Sequence, residues 1–405
     1  MTRVADAGRV RARIGGLATT MLIAAMIAGT AQAETVRHAY RTAPAKVGLN
    51  GLANDPRYQN AADGVLESAV RNIPIHPTMS PAFTFRYDQG CGCFQRSSED
   101  IGPWFMTERA QTVGKGLIHA SVTAAEYNVR CANGCKLGDE FDPINISAAA
   151  IKYRAGTELI YQVATLNLTY GITDNFDVNV AIPVGTLDFG VNPSRRDPSG
   201  ATRFGSSHHD AGPNIMDILV RAKYRLFEWD GMVGAAGMQA RLPTGDPNQG
   251  LGTGYGEIGP YFALSKSFWD GMVGSHWSAG MDFGTSDFRQ SSAHYGWGLT
   301  LQPPKSNTWH NRIALTGGVG GRSEVAGRRA RTSVSGPHVT ATAIQDEPYL
   351  CYDPSRHDYF DATLGVRVGI WRTLAMTLGF YKAINESEGV RAGDFSPVGS
   401  IEATF

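Results

Sequence analysis

The stretch LNLTYGITDNFDVNVAIPV, residues 166–184, decides the fold. It reads as two alternating arms joined by the tight turn Ile172-Thr173-Asp174-Asn175. In the second arm Phe176, Val178, Val180, Ile182 and Val184 share one face, and Asp177, Asn179 and Ala181 share the other. A strict period of two predicts a strand with one apolar and one wet side. One hairpin is marginal in water and leaves two open edges, so it needs neighbours of the same kind.

The chain supplies them. From Lys115 onward about twelve such strands follow, at about 115–127, 158–171, 176–190, 215–228, 232–242, 256–268, 272–284, 292–302, 312–322, 359–370, 374–384 and 395–405. Their connections alternate in length. Short ones include Thr173-Asp174, Trp229-Asp230-Gly231 and Trp269-Asp270-Gly271, while long ones reach the Arg-rich stretch 323–358. The hexapeptide Trp-Asp-Gly-Met-Val-Gly occurs at 229–234 and again at 269–274, so one hairpin repeats as the next. Short turns at one end, long loops at the other and an even strand number predict an all-β chain, a transmembrane antiparallel up-and-down barrel.

Side-chain faces point the same way. Tyr224 and Leu226 oppose Arg221, Lys223 and Arg225; Tyr295, Trp297, Leu299 and Leu301 oppose His294 and Thr300; Phe360, Leu364, Val366 and Val368 oppose Asp361 and Arg367. In a bilayer only a closed sheet pairs every backbone group, so the apolar set is expected to face lipid and the polar set the lumen. Predicted lumen-lining residues are Asp217, Arg221, Lys223, Arg225, Gln239, Arg241, His276, Asp282, His294, Asp361 and Arg367. Such a mixture of charges either sets a field across the bore, holds a plug by ion pairs, or simply keeps the interior wet. Trp229, Trp269, Trp309 and Trp371 fall at the short-turn end, where an aromatic girdle meets headgroups.

Three segments are expected. Residues 1–33 read as a signal peptide, with Arg3, Arg9, Arg11 and Arg13 before the apolar run Leu17 to Ala28 and cleavage after Ala33. Residues 34–114 are irregular, with one short amphipathic helix at 61–72, and read as a plug or periplasmic lid. Residues 115–405 form the barrel. Beyond the leader no apolar run approaches the roughly 20 residues a spanning helix needs. The chain thus reads as exported to the bacterial outer membrane. Its expected partners are outer-membrane lipid, the barrel assembly machinery and a small solute, and it is expected to be a monomer.

The 37 basic residues equal the 37 acidic ones, so no net field points to nucleic acid. Of the five cysteines, Cys131 and Cys135 are a plausible disulfide in a loop, and Cys91-Gly-Cys93 is too close for an unstrained bridge. That pair is a weak metal candidate, and His208-His209-Asp210, in an outward loop, could bind a metal, although a solvated loop cluster is the stronger reading and no metal site is assigned. His119, His276 and His294 stand on polar faces with Ser121 and Ser278 available, yet no nucleophile motif surrounds them and no catalytic residue is assigned. Gly252-Thr253-Gly254-Tyr255-Gly256 is followed by a strand, so it reads as a Gly-rich strand entry, and no cofactor is expected.

The terminal strand ends on Phe405, which resembles the assembly signal of bacterial outer-membrane barrels. Gly102-Pro103, Glu108-Arg109-Ala110, Gly114-Lys115-Gly116, Leu168 to Asp174, Lys223-Tyr224-Arg225, Leu242-Pro243-Thr244-Gly245-Asp246 and Leu251-Gly252-Thr253-Gly254 are turn and rim motifs. In them the chain, from about Gly102 to Phe405, resembles the family of outer-membrane transporters named for the meta-pathway of phenol degradation. That resemblance implies passive passage of hydrophobic or aromatic compounds. A structural or adhesion barrel acting through the long loops 191–214 and 323–358 is the alternative, and a barrel hydrolase using His276 or His294 a third.

Overall fold

The computed structural model describes residues 107–132, 152–196, 202–286, 291–303, 313–325, 358–371, 374–385 and 395–404. It also describes Leu66, Ala69, Val70 and the short strand segments 86–88, 93–95, 135–136 and 390–392. The predicted signal peptide lies outside them.

Twelve long strands build the wall: β1 (Ile118–Ala132), β2 (Lys152–Thr173), β3 (Phe176–Arg196), β4 (Ile218–Trp229), β5 (Met232–Leu242) and β6 (Glu257–Phe268). They continue as β7 (Val273–Gly284), β8 (Ser292–Leu301), β9 (Ile313–Glu324), β10 (Asp358–Trp371), β11 (Leu374–Ala383) and β12 (Ser396–Thr404). Each pairs antiparallel with its neighbour in sequence, and β12 returns to β1 in the register Ile401↔Val122 and Glu402↔Ser121. The cylinder is therefore closed, and all twelve strands lie where the alternation placed them.

Burial separates the two faces. Along β10, Asp361, Thr363 and Arg367 are buried whereas Leu364 is 64% exposed. Tyr224, Trp277, Leu378 and Ile401 are likewise about half exposed or more, and each neighbours a buried polar residue on its strand. A belt of bare apolar side chains on this scale is a surface made for hydrocarbon, not water. At Trp229-Asp230-Gly231-Met232 the chain reverses with Asp230 at φ 48° and Gly231 at φ 67°, the left-handed pair that suits the twist of a two-residue hairpin. Trp229 and Trp269 are more than 70% exposed at that end.

The belt has a visible upper limit. On β3 the outer residues run Phe176, Val178, Val180, Ile182 and Val184, then turn polar at Thr186 and Asp188. Beside Thr186 stands Gln162, whose amide donates to Glu126 at 2.9 Å. At ~3.3 Å per residue and a tilt of ~40°, the apolar run is roughly 20–25 Å tall, matching the lipid-facing band of such barrels.

Above that level the strands continue. β2 and β3 are 22 and 21 residues long, well past the expected ends at 158 and 190. The stretch 191–214, predicted as loop, is mostly strand: β3 reaches Arg196, and segments 202–204 and 207–215 pair with it. Above the lipid both faces can be polar, so the alternation that marks a strand disappears while its hydrogen bonds remain.

Candidate functional site

The interior is crossed by chain. Residues 107–113 are all buried, and they lie on the inner wall rather than beneath the barrel. The wall there carries small side chains: Val233, Ala235 and Ala263 pack around Ala110, while Ser265 and Ser278 offer hydroxyls. Small residues leave a shallow bed, and extended backbone lies along it. The Ala110 amide donates to Ser265 Oγ at 3.0 Å and the Glu108 amide to Ser278 Oγ at 3.2 Å. Lower down, the Val113 amide donates to Asp177 Oδ2 at 3.1 Å and the Thr112 hydroxyl to the Asp174 carbonyl at 2.6 Å. Gly114 (φ 93°) and Gly116 (φ 76°) then turn the chain into β1. Only glycine adopts such angles freely.

One carboxylate fastens this strap. Glu108 Oε2 accepts from Arg221 Nη1 at 2.6 Å and Oε1 from Lys223 Nζ at 3.0 Å, with all three side chains at most 8% exposed. Lys223 also donates to the Arg109 carbonyl at 3.1 Å, and the Arg221 guanidinium lies 4.5 Å from the Tyr261 ring centroid. Glu108 belongs to the strap and not to a spanning strand. Burial pushes its carboxyl up, but the charges and hydrogen bonds of Arg221 and Lys223 outweigh burial and hold it at about 2.

A second insertion comes from the opposite end. The connection after β5 folds inward at Pro243 to Gly256, burying Leu251, Thr253 and Tyr255. Asp217 holds it by accepting from the Gly245 amide (3.1 Å), the Thr253 amide (2.8 Å) and the Thr253 hydroxyl (2.6 Å). Tyr161 donates to the Gly250 carbonyl at 2.8 Å. Leu66 is helical and buried beside the same glycine: a methyl group on Gly250 would lie 3.5 Å from it. The Gly-rich motif read as a strand entry is thus the returning arm of an inward loop.

The other predicted lumen residues fall into two networks. Gln239 donates to Asp282 Oδ1 at 2.6 Å and His294 Nδ1 lies 3.1 Å from Asp282 Oδ2, while Glu257 faces Arg241 (3.4 Å) and Arg322 (3.3 Å). Across the bore Arg367 bonds Thr377 (3.0 Å) and Glu402 (2.8 Å), and His119 stands 3.6 Å from Glu402. Asp361 is buried on the same strand as Arg367. Arg225 sits at the short-turn rim, partly exposed, on Asn175 and Glu228. His276 Nδ1 is 2.9 Å from Ser265 Oγ, the hydroxyl that also holds the strap. The backbone pairs Cys131 with Lys136 and Cys135 with Ala132; the side chains of these cysteines, Cys91 and residues 326–357 lie outside the description.

Glu108 was singled out only as part of the Glu108-Arg109-Ala110 motif and not as a lumen residue, and Glu257, Arg322 and Glu402 were not picked out from sequence. The last three stand on polar strand faces, where a search for counter-ions to the basic residues would have found them. Glu108 lies outside every strand and gives no periodic signal.

A closed twelve-stranded cylinder with an apolar belt, a polar interior and chain laid through its bore defines a β-barrel of the bacterial outer-membrane type. Residues 145–340 match the family described as "Putative MetA-pathway of phenol degradation", which bears out the resemblance read from the rim motifs. No curated protein matches the chain. Among solved structures it is similar to the COG4313 outer membrane channel from Pseudomonas putida F1, with 12% identity over 73% of this chain and 98% of that one and a TM-score of 0.42. A Pseudomonas aeruginosa FadL homologue gives 10% identity over 72% and 90% of the two chains with a TM-score of 0.33. The Pseudomonas putida toluene transporter TodX gives 9% over 76% and 98% with a TM-score of 0.32. Likenesses this distant are of architecture alone.

Proposed function

We propose that this protein is an outer-membrane channel that passes small hydrophobic or aromatic solutes by passive diffusion, with the strap at 107–113 as the innermost part of an N-terminal plug. The fastening of Glu108 to Arg221 and Lys223 carries the proposal. A barrel that merely fills its centre needs apolar packing there, whereas this one lines its centre with charges and closes it with a segment held through one carboxylate. The wall residues Asp217, Gln239, Arg241, His276, Asp282, His294, Asp361 and Arg367 line the path in this proposal. Twelve strands lie between filled eight-stranded barrels and open porins, so the bore is narrow and the plug decides whether it conducts. The family description points to phenolic compounds as cargo. Export through the signal peptide at 1–33 and insertion as a monomer by the barrel assembly machinery belong to the same proposal.

Uptake of labelled phenol at limiting concentration, compared between cells with and without the gene, tests this. Slower uptake on deletion, restored by the gene, is expected; equal uptake overturns it. The interior insertions favour one other reading, a shut barrel acting through its external end. That reading predicts unchanged uptake together with a binding phenotype lost on trimming 323–358.

A further inference from the structure

Above the lipid belt, on the outside of the wall, three metal-type ligands converge. Asp188 of β3 and Asp210 of the paired segment 207–215 stand directly opposite each other in the ladder. His208, two residues before Asp210, shares its face. The ligand atoms of the three residues all lie within 4.8 Å of one another. His208 Nε2 is 3.3 Å from Asp188 Oδ1 and 2.9 Å from Asp210 Oδ1.

Two features of this geometry ask for a cation. Like charges directly opposite on an antiparallel ladder repel, and Asp188 and Asp210 face each other there. Moreover, Nε2 carries at most one hydrogen, which serves one acceptor well, yet the nitrogen is flanked by two carboxylate oxygens. A cation between them satisfies all three atoms at once. Tetrahedral bonds of ~2.0–2.1 Å set ligand atoms about 3.3–3.4 Å apart, against the 3.3 and 2.9 Å that separate His208 Nε2 from the two carboxylates. Alkaline-earth ions prefer all-oxygen shells, whereas an imidazole with carboxylates suits zinc and its transition-metal neighbours.

We propose that Asp188, His208 and Asp210 form a site for a divalent transition metal, of the zinc class, on the external extension of the barrel. Nε2 of His208 and one oxygen of each carboxylate are its protein ligands, and water completes the shell. All three side chains are at least half exposed, so the ion enters directly from the medium. The bound ion ties β3 to segment 207–215, the two elements that carry the mouth beyond the bilayer. The sequence hinted at His208 and Asp210, but Asp188 lies twenty residues earlier and joins them only through strand register.

The experiment uses the full chain, folded in detergent, stripped with chelator and titrated with Zn2+ by calorimetry. Co2+ serves as a second probe whose visible absorption reports a tetrahedral shell. His208→Ala and Asp188→Asn are compared with His209→Ala, whose side chain lies on the opposite face beside Phe189. The heat-dependent gel shift of folded barrels confirms that each variant is intact. Expected is one saturable Zn2+ equivalent per chain that weakens at least ten-fold in His208→Ala and Asp188→Asn and persists in His209→Ala. Equal binding by wild type and His208→Ala overturns the proposal, as does an equivalent filled by Ca2+ but not by Zn2+.

Discussion

Replacing Glu108 by alanine removes the strap's own carboxylate, which fastens it to Arg221 and Lys223. Arg221 and Lys223 then remain, 7% and 3% exposed, with Asp177 3.8 Å from Lys223. Breaking a buried pair by deleting one partner costs about 3–5 kcal/mol, because the charge left behind stays desolvated. Asp177 and any water entering the bore soften that, so about 3 kcal/mol is the appropriate figure. At ~1.4 kcal/mol per factor of ten, the population with the strap detached rises roughly 100-fold. Single-channel recording in planar bilayers reads this as a rise of that order in open probability, from rare events to frequent ones. The triple variant Glu108→Ala, Arg221→Met, Lys223→Met is expected to recover part of the closed state, since no bare cation is left to drive water in. An open probability for Glu108→Ala within two-fold of wild type would refute the fastening role. So would an opening that the triple variant leaves undiminished, because the stranded cations would then not be its cause.

Acid acts on the same group with a definite sign. Because the folded carboxyl is depressed to about 2, its stabilising contribution is complete above the ordinary value of 4.5 and drains away as pH falls toward 2; conductance attributable to the strap is expected flat from pH 7 to 5 and rising only below. Asp217→Ala deprives the inward loop of an acceptor for three donors, a loss of about 2–4 kcal/mol, and limited proteolysis is expected to cut Pro243 to Gly256 in that variant but not in wild type. Leu364→Arg puts a charge on the lipid face midway along β10 and is expected to cost about 2–4 kcal/mol in urea unfolding from vesicles, against less than half that in a thin-bilayer lipid that brings the headgroups nearer.

Where the environment is two-sided, the sequence is legible. Residues 176–184 face lipid and lumen in turn, so they alternate, and every wall strand could be placed from that alternation alone. Beyond the bilayer the same backbone pairing continues with water on both sides, which is why 191–196 and 207–215 read as loop. The strap at 107–113 is buried throughout, and the loop at 243–256 buries its returning arm inside the wall. They are held by backbone amides on Ser265, Ser278 and Asp217, contacts that impose no period on the sequence. The basic half of the strap's fastening was visible as Arg221 and Lys223 on a polar face; the acidic half, Glu108, stood out only within a rim motif, since the segment that carries it is no strand. Of the proposed metal ligands, Asp188 failed to show for a related reason, register being a property of two segments and not of either one.

The most direct measurement is a nitroxide scan of residues 360–370 in lipid vesicles, with oxygen as the lipid-soluble collider and a charged nickel chelate as the water-soluble one. The account predicts a period of two, with oxygen reaching 360, 364, 366 and 370 while 361, 363, 365 and 367 are shielded from it. A run without that period, or one in which the positions of Phe360, Leu364, Val366 and Ile370 are shut off from both colliders as in a dry core, would contradict it.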